Sequence, residues 1–168
     1  MSFCNKKKNT HRLPTRNFTT GFSVIEVLVV VAIISIVAAI SYTTFIQAKS
    51  SQSLEKDASR VVAAFDRARS LTLSSSQDRQ YGVHIESDRV TIFPGSTYST
   101  NDPDNQTEIL GPLTSITQYS LSGGGSEVIF DRLTGKTSKP GTITVSLNQD
   151  TSRFYTITVL GTGLVEIN

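Results

Sequence analysis

The sequence predicts an α+β protein. A long N-terminal α-helix, transmembrane in its first half and amphipathic in its second, packs on a C-terminal antiparallel β-sheet head. Three observations predict it. Phe22 to Ile40 is a run of nineteen residues carrying a single charge, Glu26. No proline or glycine occurs from Phe22 to Tyr81, so nothing in that span interrupts a helix. From Gln80 the apolar period shortens from helical spacing to two, the period of a half-buried strand. The expected organisation is a basic leader over 1–21, a membrane helix over 22–42, an amphipathic helix over 43–77 and a β-rich head over 78–168.

The leader carries Lys6, Lys7, Lys8, Arg12 and Arg16 and no acid. These five of the 16 basic residues produce the formal net charge of +2; without them 11 basic residues face 14 acidic ones, a net of −3. Binding to nucleic acid through bulk charge needs clustered Lys and Arg, so the composition argues against such a partner. The only cysteine is Cys4, in the same segment. Beyond residue 21 neither a disulfide nor a cysteine metal site can form.

A basic stretch before an apolar run is a targeting signature. Phe22 to Ile40 is long enough to cross about 30 Å of hydrocarbon as a helix. The basic residues would hold the N-terminus in the cytoplasm and leave the head outside it. A secretory signal cut after Val37-Ala38-Ala39 and a plain anchor are alternatives, but neither gives Glu26 a role. A charge in such a run costs about 2.5–3.5 kcal/mol on insertion scales.

The order Gly21-Phe22 with Glu26 as the fifth residue from Phe22, in "GFSVIEVLVVVAIISIVAAI", resembles the class III signal of type IV pilins and pseudopilins. The resemblance implies that a prepilin peptidase/methyltransferase cuts between Gly21 and Phe22 and methylates the new amino terminus of Phe22. The subunit then leaves the inner membrane for a filament through an assembly platform, alongside other pilin-type subunits. In that family the glutamate meets the terminal amine of a neighbouring subunit. In a low-dielectric surround such a pair attracts more strongly than in water, against a large desolvation cost. Type II secretion pseudopili and type IV pili share this N-terminus. The family's helix-loosening proline has no counterpart here, because its position is Thr43.

Beyond the apolar run, Leu54, Ala58, Val61, Phe65, Ala68 and Leu71 recur at three- and four-residue spacing, one face of a helix. Glu55, Lys56, Asp57, Arg60, Asp66 and Arg67 are expected on the other face, and Ser74-Ser75-Ser76 at the fraying end. Seven strands are expected from "QYGVHIE", "RVTIF", "SITQYSL", "EVIFD", "GTITVSL", "RFYTITVL" and "LVEI", with a loop over 94–108. This head resembles the GspH/FimT group of minor subunits in three places. They are the Ala68-Arg69 pair of the helix-to-strand passage, the turn opened by Phe130-Asp131, and the closing Gly163-Leu164-Val165 segment. Some members of that group bind DNA through basic residues near the C-terminus. Here the last basic residue is Arg153 and the tail "GTGLVEIN" holds only an acid.

No catalytic set stands out, and no cofactor is implied. His84 has no nucleophile elbow or other activating context, which points to a strand-surface residue. Asp102, Asp104, Asn105 and Glu108 form the densest group of oxygen ligands and are a candidate Ca²⁺ site, but their spacing is not that of an EF-hand and Asp/Asn turns cap their own backbone. "LSGGGSE" lacks the Gly-Lys-Ser/Thr ending of a phosphate loop. Lys136 and Lys139 bracket a turn and are candidates for a charged contact with a neighbouring head. The alternative function is a membrane-anchored β-domain that captures an extracellular ligand with the 94–106 loop.

Overall fold

The computed structural model describes residues 21–168, apart from the side chains of residues 42–47 and 76. The leader, with Cys4 and its five basic residues, lies outside the described residues, and so does the Thr43 side chain. Helix α1 runs Val24–Leu73. The chain forms two compact units that divide between Tyr42 and Thr43.

In the second unit, α1 presents a buried face of Leu54, Ala58, Val61, Ala64, Phe65 and Ala68, and the half-buried Leu71 packs beside it. Phe65 is fully buried and meets Phe130 edge to face, with ring centroids 6.5 Å apart and an interplanar angle of 83°. Truncating such a ring to alanine costs about 3–5 kcal/mol. One residue departs from the expected pattern: Asp57 lies on the buried face, 1% exposed. The helix ends at Leu73, and a short 3-10 turn, Ser76–Asp78, follows. Ser75, Gln77 and Asp78 sit at left-handed φ of 50°, 55° and 59°, which stops the helix without a glycine. Thr72 ties this end to the head. Its Oγ1 donates to the Ala68 carbonyl (2.9 Å) and accepts from the Tyr81 N–H (2.9 Å).

The head contains two four-stranded antiparallel sheets. The strands are β1 Tyr81–Ile85, β2 Arg89–Pro94, β3 Gln106–Ile109, β4 Thr114–Leu121, β5 Glu127–Ile129, β6 Gly141–Leu147, β7 Phe154–Val159 and β8 Val165–Ile167. One sheet has the order β3-β2-β1-β5 and the other β4-β6-β7-β8. Residues of both sheets and of the buried face of α1 share one core; Val83, Ile92, Ile143 and Ile157 are among its fully buried members.

Strand β3 corrects the expectation of an unbroken loop over 94–108. It pairs with β2 from Arg89↔Ile109 to Ile92↔Gln106. Its Gln-Thr-Glu-Ile sequence lacks strand alternation because an edge strand with no buried face needs none. The β1–β2 turn is held by Arg89, whose guanidinium donates to both Asp88 carboxylate oxygens at 2.9 and 2.8 Å. That fork holds the Asp88 carboxyl below its ordinary range and raises Arg89.

Candidate functional site

Gly21, Phe22 and Ser23 precede the first turn of α1. The Ser23 carbonyl accepts from the N–H groups of Glu26 (3.0 Å) and Val27 (3.2 Å), which starts the helix. Ser23-x-x-Glu26 has the spacing of a capping box, and Glu26 is the acid of the first turn. Unpaired N–H groups and the helix dipole make that turn locally positive, so a carboxylate suits this end of the helix better than any later position in the run.

Phe22, Glu26 and Val30 lie one above the other at i, i+4 and i+8. With Val27 and Val31 they line a groove of about 290 Å³. It is apolar except for the carboxylate. All round this stretch of the helix, the groove included, the large apolar side chains from Val24 to Ile40 are 48–78% exposed. Val24–Ser41 has a mean hydropathy of 2.9 and none of it is buried. Burying one such side chain yields about 1.5–3 kcal/mol. A stretch like this requires an apolar partner on all sides. Its two hydroxyls suit such a surround, because Ser35 Oγ donates to the Val31 carbonyl (2.7 Å) and Ser41 Oγ to the Val37 carbonyl (2.9 Å).

Among the described residues nothing requires Gly21 to be glycine. A Cβ there would meet none of them within 4 Å, and its φ is not left-handed. Gly82, in contrast, is required: a Cβ would come within 2.6 Å of the Phe93 ring.

The candidate calcium ligands are not brought together. Asp102 Oδ1 accepts from the Asp104 N–H (2.9 Å), Asp104 pairs with Arg79 (3.2 Å), and Asn105 Nδ2 donates to the Ser99 carbonyl (2.7 Å). Glu108 stands on β3. Among the described residues no three His, Cys, Asp or Glu side chains form a group able to hold a metal ion. His84 lies flat against Tyr98, with centroids 4.0 Å apart and planes 10° apart. Ser126 Oγ is 3.5 Å from its Nδ1, and Glu127 and Glu86 are 3.8 and 3.7 Å away. These separations exceed the 2.6–3.2 Å or so of a working proton relay, and Arg89 also engages Glu86 at 3.1 Å. Arg153, the last basic residue, bonds Ser51 Oγ.

Two features escaped the sequence. Asp57 Oδ2 accepts from Thr114 Oγ1 (2.5 Å) and from the Gly111 N–H (3.0 Å), and its Oδ1 pairs with Arg60 (3.2 Å). A helix carboxylate thus fastens the β3–β4 connection. The second is a junction of three distant stretches. Arg69 Nε donates to the Gly135 carbonyl (3.2 Å), and a Cβ on Gly163 would overlap that carbonyl and come within 3.1 Å of Arg69 Nε. The helix, the 131–136 turn and the β7–β8 turn therefore meet at one point.

Residues 16–42 match the prokaryotic N-terminal methylation motif, and residues 57–163 match the family of the type II transport protein GspH. No curated protein matches the sequence. Two crystal structures of the type IV minor pilin FimU of Pseudomonas aeruginosa share the fold. One has a TM-score of 0.53 at 15% identity over 68% of this chain and 92% of that one. The other has a TM-score of 0.54 at 14% identity over 68% and 87%.

Proposed function

The chain belongs to the GspH family and is a minor pilin or pseudopilin, a structural subunit anchored by an apolar helix that assembles with others of its kind; from that premise we propose how its N-terminus serves assembly. A prepilin peptidase/methyltransferase on the cytoplasmic side cuts between Gly21 and Phe22 and methylates Phe22. The subunit waits in the inner membrane with its head outside the cytoplasm. An assembly platform then moves it into a type II secretion pseudopilus or a type IV pilus.

The observation that carries this reading is Glu26, the single carboxylate in Val24–Ser41, the stretch of α1 whose apolar residues are exposed on every side. Lipid covers that surface before assembly, and neighbouring helices cover it afterwards. The amine created at Phe22 is a cation, and in the filament one subunit's amine meets the next subunit's Glu26. Charge neutralisation away from water favours the one axial register that brings the two together. Gly21 fits the same reading. The described part of the fold does not need it, and a residue without a side chain leaves the peptide bond open to the peptidase. The Gly21→Ala variant, followed by immunoblot of membranes, tests the cut. An uncut precursor should accumulate, and ordinary processing of the variant would contradict the proposal.

A further inference from the structure

Leu133 is 84% exposed and sits at φ +72°, a backbone conformation that side chains with a Cβ avoid. The turn around it is firmly built. The Asp131 N–H donates to the Lys136 carbonyl (2.8 Å), and the Gly135 N–H donates to the Asp131 carbonyl (2.9 Å). Arg132 pairs with Asp78. Arg69 and Gly163 hold the turn from beneath through Gly135. Glycine would relieve position 133, as it does at Gly135 two residues later, where φ is +59°. Within the head, Leu133 contributes almost no burial to offset its strain. A bulky residue held in such a conformation without burial is a candidate for a contact outside the fold.

The surroundings indicate what kind of contact. Leu73, at the end of α1, is 40% exposed and approaches Gly135. Leu164, beside Gly163, is 48% exposed. The two lysines of the region differ in role. Lys139 Nζ reaches the Gly124 carbonyl at 3.4 Å, whereas the Lys136 side chain has no such bond among the described residues. The turn therefore offers one leucine, two apolar flanks and a cation.

We propose that the Leu133 turn is a knob that inserts into the head of a neighbouring pilin-type subunit, in an apolar recess edged by a carboxylate that pairs with Lys136. The inference rests on the filament reading, and it adds a named contact between heads to the helix contacts made through Glu26. A knob on one subunit and a recess on the next is a heterologous contact, the kind that builds an open stack rather than a closed pair.

The test uses the full chain in its native host. A Cys4→Ser, Leu133→Cys variant carries one thiol, which is labelled with benzophenone-maleimide and irradiated; the adducts are then identified by mass spectrometry. The expected adduct is a head peptide of another protein that carries its own Gly-Phe…Glu N-terminal pattern. Label at Tyr119→Cys, an exposed position on β4, should not yield it. Adducts only with lipid or with proteins lacking that pattern, or no adduct, would overturn the proposal.

In parallel, Leu133→Gly should leave the melting temperature of the purified chain in detergent unchanged or raised, yet lower its abundance in sheared filaments about tenfold. A melting temperature lowered by more than about 3 °C would place Leu133 in the fold instead. Unchanged abundance would remove the knob. Wild-type chain missing from the filament fraction would count against the filament reading itself, before any variant is compared.

Discussion

Arg69 Nε donates a 3.2 Å hydrogen bond to the carbonyl oxygen of Gly135, 66 residues further along the chain. This bond joins the last turns of the helix to the turn after β5, and Gly163 lies against both groups with no room for a Cβ. The three stretches that carry the sequence resemblance to the GspH/FimT group therefore meet in space. They are Ala68-Arg69, the Phe130-Asp131 turn closed by Gly135, and Gly163-Leu164-Val165.

Gly163→Ala should be among the more damaging small substitutions in the head. The position has φ +79°, and a methyl group would displace the Gly135 carbonyl from Arg69. Strain and the lost bond together should remove about 2–4 kcal/mol. Urea denaturation of the full chain in detergent measures it. Gly161→Ala is the control, because a Cβ there meets nothing closer than 4.0 Å.

Asp57→Ala leaves the Thr114 hydroxyl and the Gly111 N–H without their acceptor, at a cost of about 2–4 kcal/mol. Asp57→Asn keeps an acceptor and should cost roughly half as much. The same denaturation series reads both. Equal losses for the two variants would mean that charge, rather than hydrogen bonding, fastens the β3–β4 connection.

The Asp88 carboxyl should titrate below the ordinary aspartate range near 3.8, because Arg89 donates to it. A depressed folded-state value means that its contribution to the β1–β2 turn is present above the unfolded pKa. That contribution is lost as pH falls through the folded one. Carbon-detected NMR titration reads the carboxyl directly, and Arg89→Gln should return it to the ordinary range.

Glu26→Gln and Glu26→Ala should both be cut at residue 21 as in the wild type, and both should fall about tenfold or more in filament incorporation, since each removes the charge that meets the neighbouring amine. Normal incorporation of the Gln variant would show that hydrogen bonding alone sets the register.

The α+β class, the helix face from Leu54 to Ala68 and seven of the eight strands were legible in the sequence, because each rests on a period that local chain geometry imposes. Strand β3 was not, because its pairing with β2 comes from register and not from a buried face. Asp57 was misplaced on the polar side of α1, because a buried carboxylate is unreadable until its donors, more than fifty residues away, are known. Composition alone gathers Asp102, Asp104, Asn105 and Glu108 and also fits a solvated turn, and in the structure Asp102, Asp104 and Asn105 bond to separate partners. The left-handed Leu133 carries no sequence mark, since glycine is what usually signals that conformation.

The central claim is that the mature chain begins at Phe22. Intact-mass and N-terminal peptide analysis of the chain purified from membranes tests it most directly. The account predicts an N-terminus at Phe22 bearing one methyl group on its amine. A chain that begins at Met1, or one that begins near Ile40, would contradict it.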